Sequence, residues 1–445
     1  MLIFAASTQR TIGLVIALLV GAGAAIYVLV NVFSTGKKEI GSEIELAPNR
    51  KPYLKDEELE TKKLDLSLAA GAATLAIIAL ALPLYWLGEP GRQEGFANIS
   101  ERISADRGGE SFEELCAQCH GADAVGGSAG YTVLDEEGRF VSSVTWNAPA
   151  LNTILYRFTD AEVEHVLNYG RPQSPMPAWG LPGGGPLTTQ QVEELIDYIN
   201  RIQLDPEDFT TEIAAGVRTG VLDQVADANP ESFAVVAAED STPEEVGAAQ
   251  AEIATLYNAL TPGASASEGL GDLLANALAL SADPEASADQ ITAAQQEVDD
   301  TLDSYIAGLA PERAGELLFN NSAAGGSYGC ARCHTAGSSW DADQVLAKSP
   351  QLNGPGLILP EVPGGGGFGP SLIGVTEAFS SARTHSAFVS SGCIENLQYG
   401  LNGVCEPSGQ MPGFGGDSTD LAREHGGLFT AEQINATVAY ERSLQ

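Results

Sequence analysis

The sequence predicts a mostly α-helical protein, in which two N-terminal transmembrane helices precede two compact helical domains separated by an acidic helical insert. Three observations predict this fold class. Two long uncharged apolar runs lie near the N-terminus, two later segments each end in an amphipathic helical pattern, and the stretch between those segments is rich in Ala, Asp and Glu. A chain of 445 residues is long enough for two or three domains that each bury a core.

Two apolar runs predict the membrane helices. The first, within residues 1–36, has an uncharged core of 22 residues, which as a helix spans about 33 Å and can cross a bilayer. The second, residues 66–88, has Tyr85 and Trp86 near its end, where aromatic side chains meet the membrane interface. A cleaved signal peptide is the alternative for the first run, but the run exceeds the apolar core of such peptides and is followed by basic residues.

The loop between the two runs predicts the orientation of the anchor. Residues 37–65 carry seven Lys and Arg, whereas the N-terminal tail carries only Arg10. The positive-inside rule therefore predicts that this loop is cytoplasmic. The N-terminus and everything after Gly88 then lie on the outer, periplasmic side of the cell membrane.

The charge distribution separates this anchor from the rest of the chain. Residues 1–88 contain eight basic and eight acidic residues, whereas the remainder contains 14 basic and 51 acidic residues and so accounts for the formal net charge of −37. A chain this acidic does not bind phosphate backbones nonspecifically, so we expect no nucleic-acid partner. The acidic outer part fits a protein partner with a basic docking patch, with solubility or adaptation to salt as the alternative.

The part of the chain after the second apolar run divides into four stretches. Residues 89–107 form a short polar tether, and residues 108–204 form a first compact domain that closes with a threonine-capped amphipathic helix. Residues 205–311 are predicted to be an acidic Ala-rich helical insert, either a small bundle or partly disordered. Residues 312–445 repeat the layout of the first compact domain, which indicates a duplicated module.

Each compact domain contains one C-x-x-C-H motif. Two thiols three residues apart on one helical turn can each bond to a haem vinyl group, and the adjacent histidine then points its imidazole at the iron. The alternatives are a zinc site, which needs a closed set of four ligands, and a redox dithiol, which does not need the histidine. We therefore predict two covalently attached haem c groups. The motif residues are Cys116, Cys119, His120, Cys330, Cys333 and His334.

Methionine is rare in this chain, so the positions of its methionines are informative. Apart from Met1 there are two, and each begins a Met-Pro-x-aromatic-Gly sequence between a haem motif and the closing helix of its domain. Met176 lies 56 residues after His120, and Met411 lies 77 residues after His334. A methionine is otherwise a core-filling residue, but its thioether is also a common axial ligand of haem iron. We predict that Met176 and Met411 are the second axial ligands.

Together these features resemble class I c-type cytochromes. The resemblance rests on the haem motif on a leading helix, the Met-Pro loop and the closing amphipathic helix, and it covers residues 108–204 and 312–445. It implies a small all-α fold around one haem in each domain. It also implies that the carbonyl oxygens of Pro149 and Pro370, each in a Pro-x-Leu segment, accept a hydrogen bond from the second nitrogen of the iron-binding histidine and fix its tautomer.

Two cysteines and three histidines are left over. Cys393 and Cys405 lie shortly before Met411, and outside the cytoplasm a leftover pair is predicted to form a disulfide, with two buried free thiols as the alternative. A histidine could also replace a methionine as axial ligand, and His385 is a stronger rival than His165, which belongs to an ordinary helical pattern. The candidate histidines are His165, His385 and His425.

Two haems with both axial positions filled leave no open site for a substrate, so we expect a non-catalytic electron-transfer subunit. The layout resembles the dihaem cytochrome c subunits of bacterial menaquinol:cytochrome c reductases. This resemblance implies partners that include the membrane, an iron–sulfur or cytochrome b subunit and an oxidase, and the acidic surface adds a basic soluble electron carrier. The alternatives are a dihaem peroxidase-like enzyme and the cytochrome subunit of a periplasmic dehydrogenase.

Overall fold

The structure of the protein is a computed structural model. It describes residues 8–33, 57–134, 138–171, 174–238, 240–261, 269–335, 338, 340–341, 362–365, 369–392, 411–416 and 426–444. The described residues are mostly helical, which confirms the mostly α-helical part of the prediction, and the chain divides into two compact units, Met1–Ile103 and Ser104–Gln445.

In the first unit the apolar runs form helices. Helix α1 is Thr8–Phe33, and a π-helical segment, Glu57–Lys63, leads into helix α2, Leu64–Leu115. Among the described residues, α2 is the one helix long and apolar enough to cross a membrane, and none of its apolar window is buried. Leu18–Val30 within α1 is a shorter apolar stretch. Helix α2 therefore supports membrane association, while the number of spans and their orientation stay predictions.

The two apolar helices of this unit meet at a glycine. A Cβ placed on Gly21 of α1 would lie 3.0 Å from Cδ2 of Leu80 in α2. Small residues at such a crossing let two helix backbones approach closely, which is common where membrane helices pack. The contact is consistent with a hairpin of two apolar helices.

Helix α2 continues through residues 89–107, which we expected to be a tether. Pro90 removes one backbone donor inside the helix. Side-chain contacts bridge this point, since Arg92 pairs with Glu89 and its guanidinium carbon lies 3.7 Å from the centre of the Tyr85 ring. The polar stretch is therefore helical.

The first segment of the second unit contains a β-hairpin, which an all-α expectation lacks. Strands β1, Gly127–Leu134, and β2, Phe140–Ala148, pair antiparallel shortly after the first haem motif. Both runs are rich in aromatic and β-branched residues, which favour extended backbone. The helices of this segment are the end of α2, α3 (Ala117–His120), α4 (Asp160–Tyr169) and α5 (Thr189–Arg201).

Helices α2 and α5 cross at Gly108, where the absence of a side chain lets the two backbones approach closely. A Cβ on Gly108 would overlap the carbonyl oxygen of Glu194, and one turn later Phe112 packs on Tyr198 with ring centroids 5.1 Å apart. Thr188 caps α5 through a reciprocal capping box, as the sequence predicts. The crossing brings the two ends of the segment together around its core.

The second segment repeats this crossing. A Cβ on Gly315 would overlap the carbonyl oxygen of Ala436, Phe319 packs on Tyr440 with ring centroids 5.1 Å apart, and Thr430 caps the closing helix. The glycine and the aromatic residue have the same spacing in both segments, which supports the predicted duplication. The elements are α11 (Pro311–Phe319), α12 (Ala331–His334), β3 (Trp340–Asp341), α13 (Val375–Ala378), α14 (Ala382–Ser391) and α15 (Ala431–Glu441).

The acidic insert is helical and packs into the core of the second unit. Phe209 lies between Tyr156 of the first segment, at 5.1 Å, and Tyr328 of the second, at 4.9 Å between ring centroids. Asn321 of the second segment donates to the Ile213 carbonyl oxygen at 3.0 Å. The described part of the insert is thus a packed bundle that contacts both segments. Its helices are α6 (Pro206–Ala228), α7 (Pro230–Ala237), α8 (Pro243–Leu260), α9 (Leu270–Ala282) and α10 (Ala288–Ala307).

The two segments also contact each other directly. Strand β3 pairs antiparallel with β2, opposite Thr145 and Trp146, which gives a three-stranded sheet of order β1-β2-β3. The Ala150 N–H donates to the Ala324 carbonyl oxygen at 3.3 Å. Residues close to both haem motifs therefore lie at this junction.

Candidate functional site

The first candidate site is built on the short helix that ends at His120. The backbone N–H of His120 donates to the Cys116 carbonyl oxygen at 2.9 Å, so both residues belong to one helical turn. The imidazole is buried, and its Nδ1 lies 2.8 Å from the carbonyl oxygen of Pro149. Burial lowers the pKa of His120; the Pro149 contact opposes this shift and the nearby Arg332 adds to it. The neutral ring donates from Nδ1 and leaves Nε2 for a metal.

The second candidate site repeats this geometry. His334 ends α12, is buried, and has Nδ1 2.8 Å from the carbonyl oxygen of Pro370. Gly369 directly precedes Pro370 in the chain, and a Cβ at this position would lie 2.5 Å from Cε1 of the His334 imidazole. The Gly369 N–H also donates to the Cys333 carbonyl oxygen at 2.7 Å. A glycine is needed here because the backbone passes directly against the histidine ring.

None of the four motif cysteines forms a disulfide, and Cys116 and Cys330 are buried. Burial, with a smaller effect of Cys119, raises the pKa of Cys116 to about 11, and burial also raises the pKa of Cys330 well above its usual value. A redox-active cysteine instead has a lowered pKa. Within the described parts of the chain, no three His, Cys, Asp or Glu side chains converge as a closed metal site requires. The raised pKa values of Cys116 and Cys330 therefore differ from those of a redox dithiol.

Each candidate methionine sits in a loop held against a glycine with positive φ. Gly170, with φ of +70°, follows α4, and a Cβ there would lie 2.7 Å from backbone atoms of the peptide that begins with Met176. Gly392, with φ of +74°, follows α14, and a Cβ there would lie 2.5–2.6 Å from the corresponding atoms after Met411. Only glycine adopts this φ at little cost and leaves room for the loop. Both methionine loops therefore pack against a glycine at the end of the preceding helix.

Both methionine side chains are half-buried and pack against the core of their own motif. Met176 packs against the cluster that contains Cys116, and Met411 packs against the cluster that contains Cys330. The loops are fixed by equivalent backbone bonds, from the N–H groups three and four residues after each methionine to carbonyl oxygens near the end of the preceding helix. The structure thus brings each methionine and its C-x-x-C-H motif into one core, while iron ligation stays a prediction.

Comparison with known families bears on the first segment. Residues 104–199 match the family described as cytochrome c oxidase, cbb3-type, subunit III, and this range contains His120, Pro149 and Met176. Residues 104–199 form a c-type cytochrome domain. This domain implies haem c binding and haem-based electron transfer. The second segment lies outside the matched range, and no curated protein and no solved structure matched the chain significantly.

The cytochrome domain contains a buried cation that fits a haem propionate. Arg157 is 4% exposed, and its Nε and Nη2 have no hydrogen-bond partner among the described residues. Burial, followed by the like charge of Arg332, lowers the pKa of Arg157 to about 9, as expected of a guanidinium that lacks a neighbouring anion. Haem c carries propionate carboxylates, which pair well with guanidinium donors. The residues therefore fit the group, and Arg157 would hold a propionate.

The second C-x-x-C-H motif contacts the cytochrome domain close to His120. Arg332, inside that motif, donates from Nη2 to the Asn147 carbonyl oxygen at 2.6 Å. Two residues further along the same backbone, the Pro149 carbonyl oxygen contacts His120. One three-residue segment, 147–149, therefore contacts both motifs.

The remaining candidates fall into two groups. His165 is exposed on α4, with its ring centroid 4.9 Å from that of Tyr169. His385 is buried, and its Nε2 lies 3.0 Å from Oε2 of Glu441, so this nitrogen faces a carboxylate. The residues that lie outside the described part of the chain are His425 and the disulfide candidates Cys393 and Cys405.

Proposed function

We propose that the chain is a membrane-anchored dihaem cytochrome c that transfers single electrons in a respiratory chain. The observation that carries this proposal is the repeated histidine geometry: His120 and His334 each have Nδ1 2.8 Å from a proline carbonyl oxygen, next to a C-x-x-C pair. Haem iron held by an imidazole and a thioether supplies one-electron transfer and offers no open position to a substrate.

In this proposal the two pockets have equivalent parts. The cysteines attach the porphyrins, the histidines and methionines hold the iron, and the two prolines orient the histidines. The first pocket uses Cys116, Cys119, His120, Met176 and Pro149, and the second uses Cys330, Cys333, His334, Met411 and Pro370.

Contacts between the two pockets support transfer within one molecule. The hydrogen bond from Arg332 to Asn147 and the contact of His120 with Pro149 share one backbone segment. The insert adds a second junction, where Phe209 packs between aromatic rings of the two segments. Both junctions hold the pockets in a fixed relation, which electron transfer requires.

The proposed location is the cell membrane, with two spans and both haem domains on the periplasmic side. The exposed apolar surface of α2 and its close contact with α1 at Gly21 support an anchor of two helices. The matched family is described as an oxidase subunit, whereas the layout resembles a reductase subunit. We propose that the chain belongs to a quinol:cytochrome c reductase or a reductase–oxidase assembly.

Haem counting tests the dihaem proposal. We expect two haem c per chain in the protein produced in a host that attaches haem c, and one haem after Cys116 and Cys119 are replaced by serine. The same change at Cys330 and Cys333 also leaves one haem. As a matched control, serine at Cys393 and Cys405 retains two. One haem in the unmodified chain, or a second haem that binds peroxide when half-reduced, contradicts the proposal.

Copurification tests the complex. Extraction in mild detergent should retain a cytochrome b or iron–sulfur subunit, an oxidase subunit, or both. Recovery with a periplasmic dehydrogenase instead would overturn the proposed assembly and leave the haem assignment intact.

A further inference from the structure

The backbone that orients His120 is held by the second segment as well as by its own. Strand β2 ends at Ala148, directly before Pro149, whose carbonyl oxygen lies 2.8 Å from Nδ1 of His120. Contacts from the second segment lie on both sides of Pro149. They involve residues 145–150, which we call the Pro149 stretch.

Three contacts from the second segment fix the Pro149 stretch. Strand β3 pairs with its first two residues. Arg332 donates from Nη2 to the Asn147 carbonyl oxygen at 2.6 Å, and the Ala150 N–H donates to the Ala324 carbonyl oxygen at 3.3 Å. The bond from Arg332 is the shorter of these two and comes from a charged donor, so it is the stronger one. Its Nη1 also donates to the Gly325 carbonyl oxygen of its own segment at 3.4 Å.

Backbone strain occurs at the same place. Among the described residues, Ala124 and Ala324 are the non-glycine residues with positive φ, at +58° and +53°. Their carbonyl oxygens accept from successive N–H groups directly after Pro149, since Ala150 donates to Ala324 at 3.3 Å and Leu151 donates to Ala124 at 2.7 Å. Strained residues persist only where the surrounding structure holds them, and they cluster at functional sites. Each segment thus keeps one strained alanine against the backbone that follows Pro149.

The acidic insert supports the strained alanine of the second segment. The Ala324 N–H donates to Oε1 of Glu212 in α6 at 2.7 Å. The Ala324 carbonyl oxygen also accepts from Oγ of Ser327 at 2.6 Å. The position of the Pro149 stretch therefore depends on two side chains of opposite charge, on Arg332 directly and on Glu212 through Ala324.

The second candidate histidine is oriented from within its own segment. The Pro370 carbonyl oxygen contacts His334, and the adjacent Gly369 N–H donates to the Cys333 carbonyl oxygen at 2.7 Å. These contacts lie inside the second segment, whereas those of the Pro149 stretch cross between the segments. The first candidate site thus depends on its neighbour in a way that these contacts of the second do not.

We propose that Arg332 is a positioning residue for His120. By holding the Pro149 stretch it sets the hydrogen bond from the His120 imidazole to the Pro149 carbonyl oxygen, and through that bond the reduction potential of the first haem. The inference rests on the part of the proposed function that makes His120 an iron ligand. Arg332 lies between the two cysteines of the second motif, so the second segment adjusts the first haem.

The physical reason is the electron density that the histidine donates to the iron. A hydrogen bond from Nδ1 to a backbone carbonyl fixes the orientation of the imidazole and raises its basicity. Hydrogen bonds around an axial ligand are one means by which a protein sets a haem potential. When the Pro149 carbonyl moves away, the imidazole stabilises ferric iron less, and the potential of the first haem rises.

Position and charge predict different patterns for the two supporting side chains. Arg332→Met removes a positive charge, which by itself makes reduction less favourable, and Glu212→Ala removes a negative charge, which by itself makes reduction more favourable. Loss of the supporting contact, in contrast, raises the potential in both variants. The sign of the shift in Arg332→Met therefore distinguishes a positioning residue from a charge.

The test combines redox titration with electron paramagnetic resonance of the oxidised full-length protein in detergent. The variant with serine at Cys116 and Cys119 lacks the first haem and so identifies its signals. Arg332→Met should favour reduction of the first haem on the order of tenfold, the lower end of the effect of outer-shell partners, which is about 59 mV for one electron. Its g values, which report the orientation of the axial ligands, should change as well.

The matched variants complete the test. Glu212→Ala should shift the potential in the same direction and also change the g values of the first haem. The conservative variants Arg332→Lys and Glu212→Gln keep a donor and an acceptor, respectively, and should retain the values of the unmodified protein.

Two outcomes would overturn the proposal. One is unchanged g values in both truncated variants, and the other is shifts of opposite sign, which are the result expected of charge alone. If Arg332→Met does not fold, the Glu212 variants decide, and unchanged g values in Glu212→Ala overturn the proposal. Haem is counted on the same samples, so absence of the first haem from the unmodified protein refutes the proposed function instead.

Discussion

Replacing the glycine that contacts each methionine loop should loosen the loop and lower the free energy of unfolding by an amount that the structure allows us to estimate. Gly170 has φ of +70°, and an added Cβ would lie 2.7 Å from the backbone after Met176. Its ψ is −168°, a conformation that essentially only glycine adopts and that strains another residue by about 1–3 kcal/mol. Overpacking against backbone costs about 1–3 kcal/mol more. Gly170→Ala should therefore lower the free energy of unfolding by about 2–6 kcal/mol in total.

The chain offers a control glycine that also has positive φ but lacks the steric contact, although its ψ of 11° differs from that of Gly170. Gly184 has φ of +86°, but a Cβ there meets nothing within 4 Å. Gly184→Ala should show only the conformational cost of about 1–2 kcal/mol. In the second segment, Gly374, with φ of +73° and open space, is the control for Gly392.

Two measurements check the reasoning. Denaturant unfolding of the haem-loaded protein gives the stability difference between Gly170→Ala and Gly184→Ala, expected to be about 1–4 kcal/mol. The sulfur-to-iron absorption band of the oxidised protein reports whether Met176 still binds. The band should weaken in Gly170→Ala and persist in Gly184→Ala. Equal stabilities together with an unchanged band in both variants would refute the role assigned to Gly170.

Three other substitutions in the second unit should differ widely in how much they lower the free energy of unfolding. Gly315→Ala places a methyl group on the Ala436 carbonyl oxygen, so denaturation should show a loss of about 3 kcal/mol or more, and near-native stability would contradict the crossing. Tyr156→Phe removes a 2.6 Å bond to the Leu204 carbonyl oxygen and should cost about 1 kcal/mol in the same assay. Arg218→Ala removes a largely buried side chain that pairs with Asp299 and Asp303 on the exposed face of α10, and it should cost about 1 kcal/mol or less, a difference that shrinks in high salt.

The parts of the candidate site that could be predicted are those with short spacing in the sequence. Cys116 and His120 are adjacent on one turn, and Met176 stands out because methionine is rare. The pairing of His120 with Pro149 could be expected only through the family resemblance, since 29 residues separate them. Local spacing identifies such motifs because one helical turn already determines which residues face the same way.

The parts that could not be predicted depend on contacts between distant residues. Nothing in the sequence marks Arg157 as a buried cation, because only the fold buries it and brings it near Arg332 of the second segment. His385 could be a ligand by sequence, and only the fold places it opposite Glu441, 56 residues later. The hairpin after the first motif was missed because the resemblance led us to expect helices, although its composition favours strands.

The hydrogen bond between Arg332 and the Asn147 carbonyl oxygen has a kinetic consequence. Separate carrier proteins must collide before an electron can pass, so their exchange slows on dilution. In the proposed dihaem protein both partners belong to one polypeptide, so exchange between them would be a first-order event. Its rate would then be the same in a dilute protein solution as in a concentrated one.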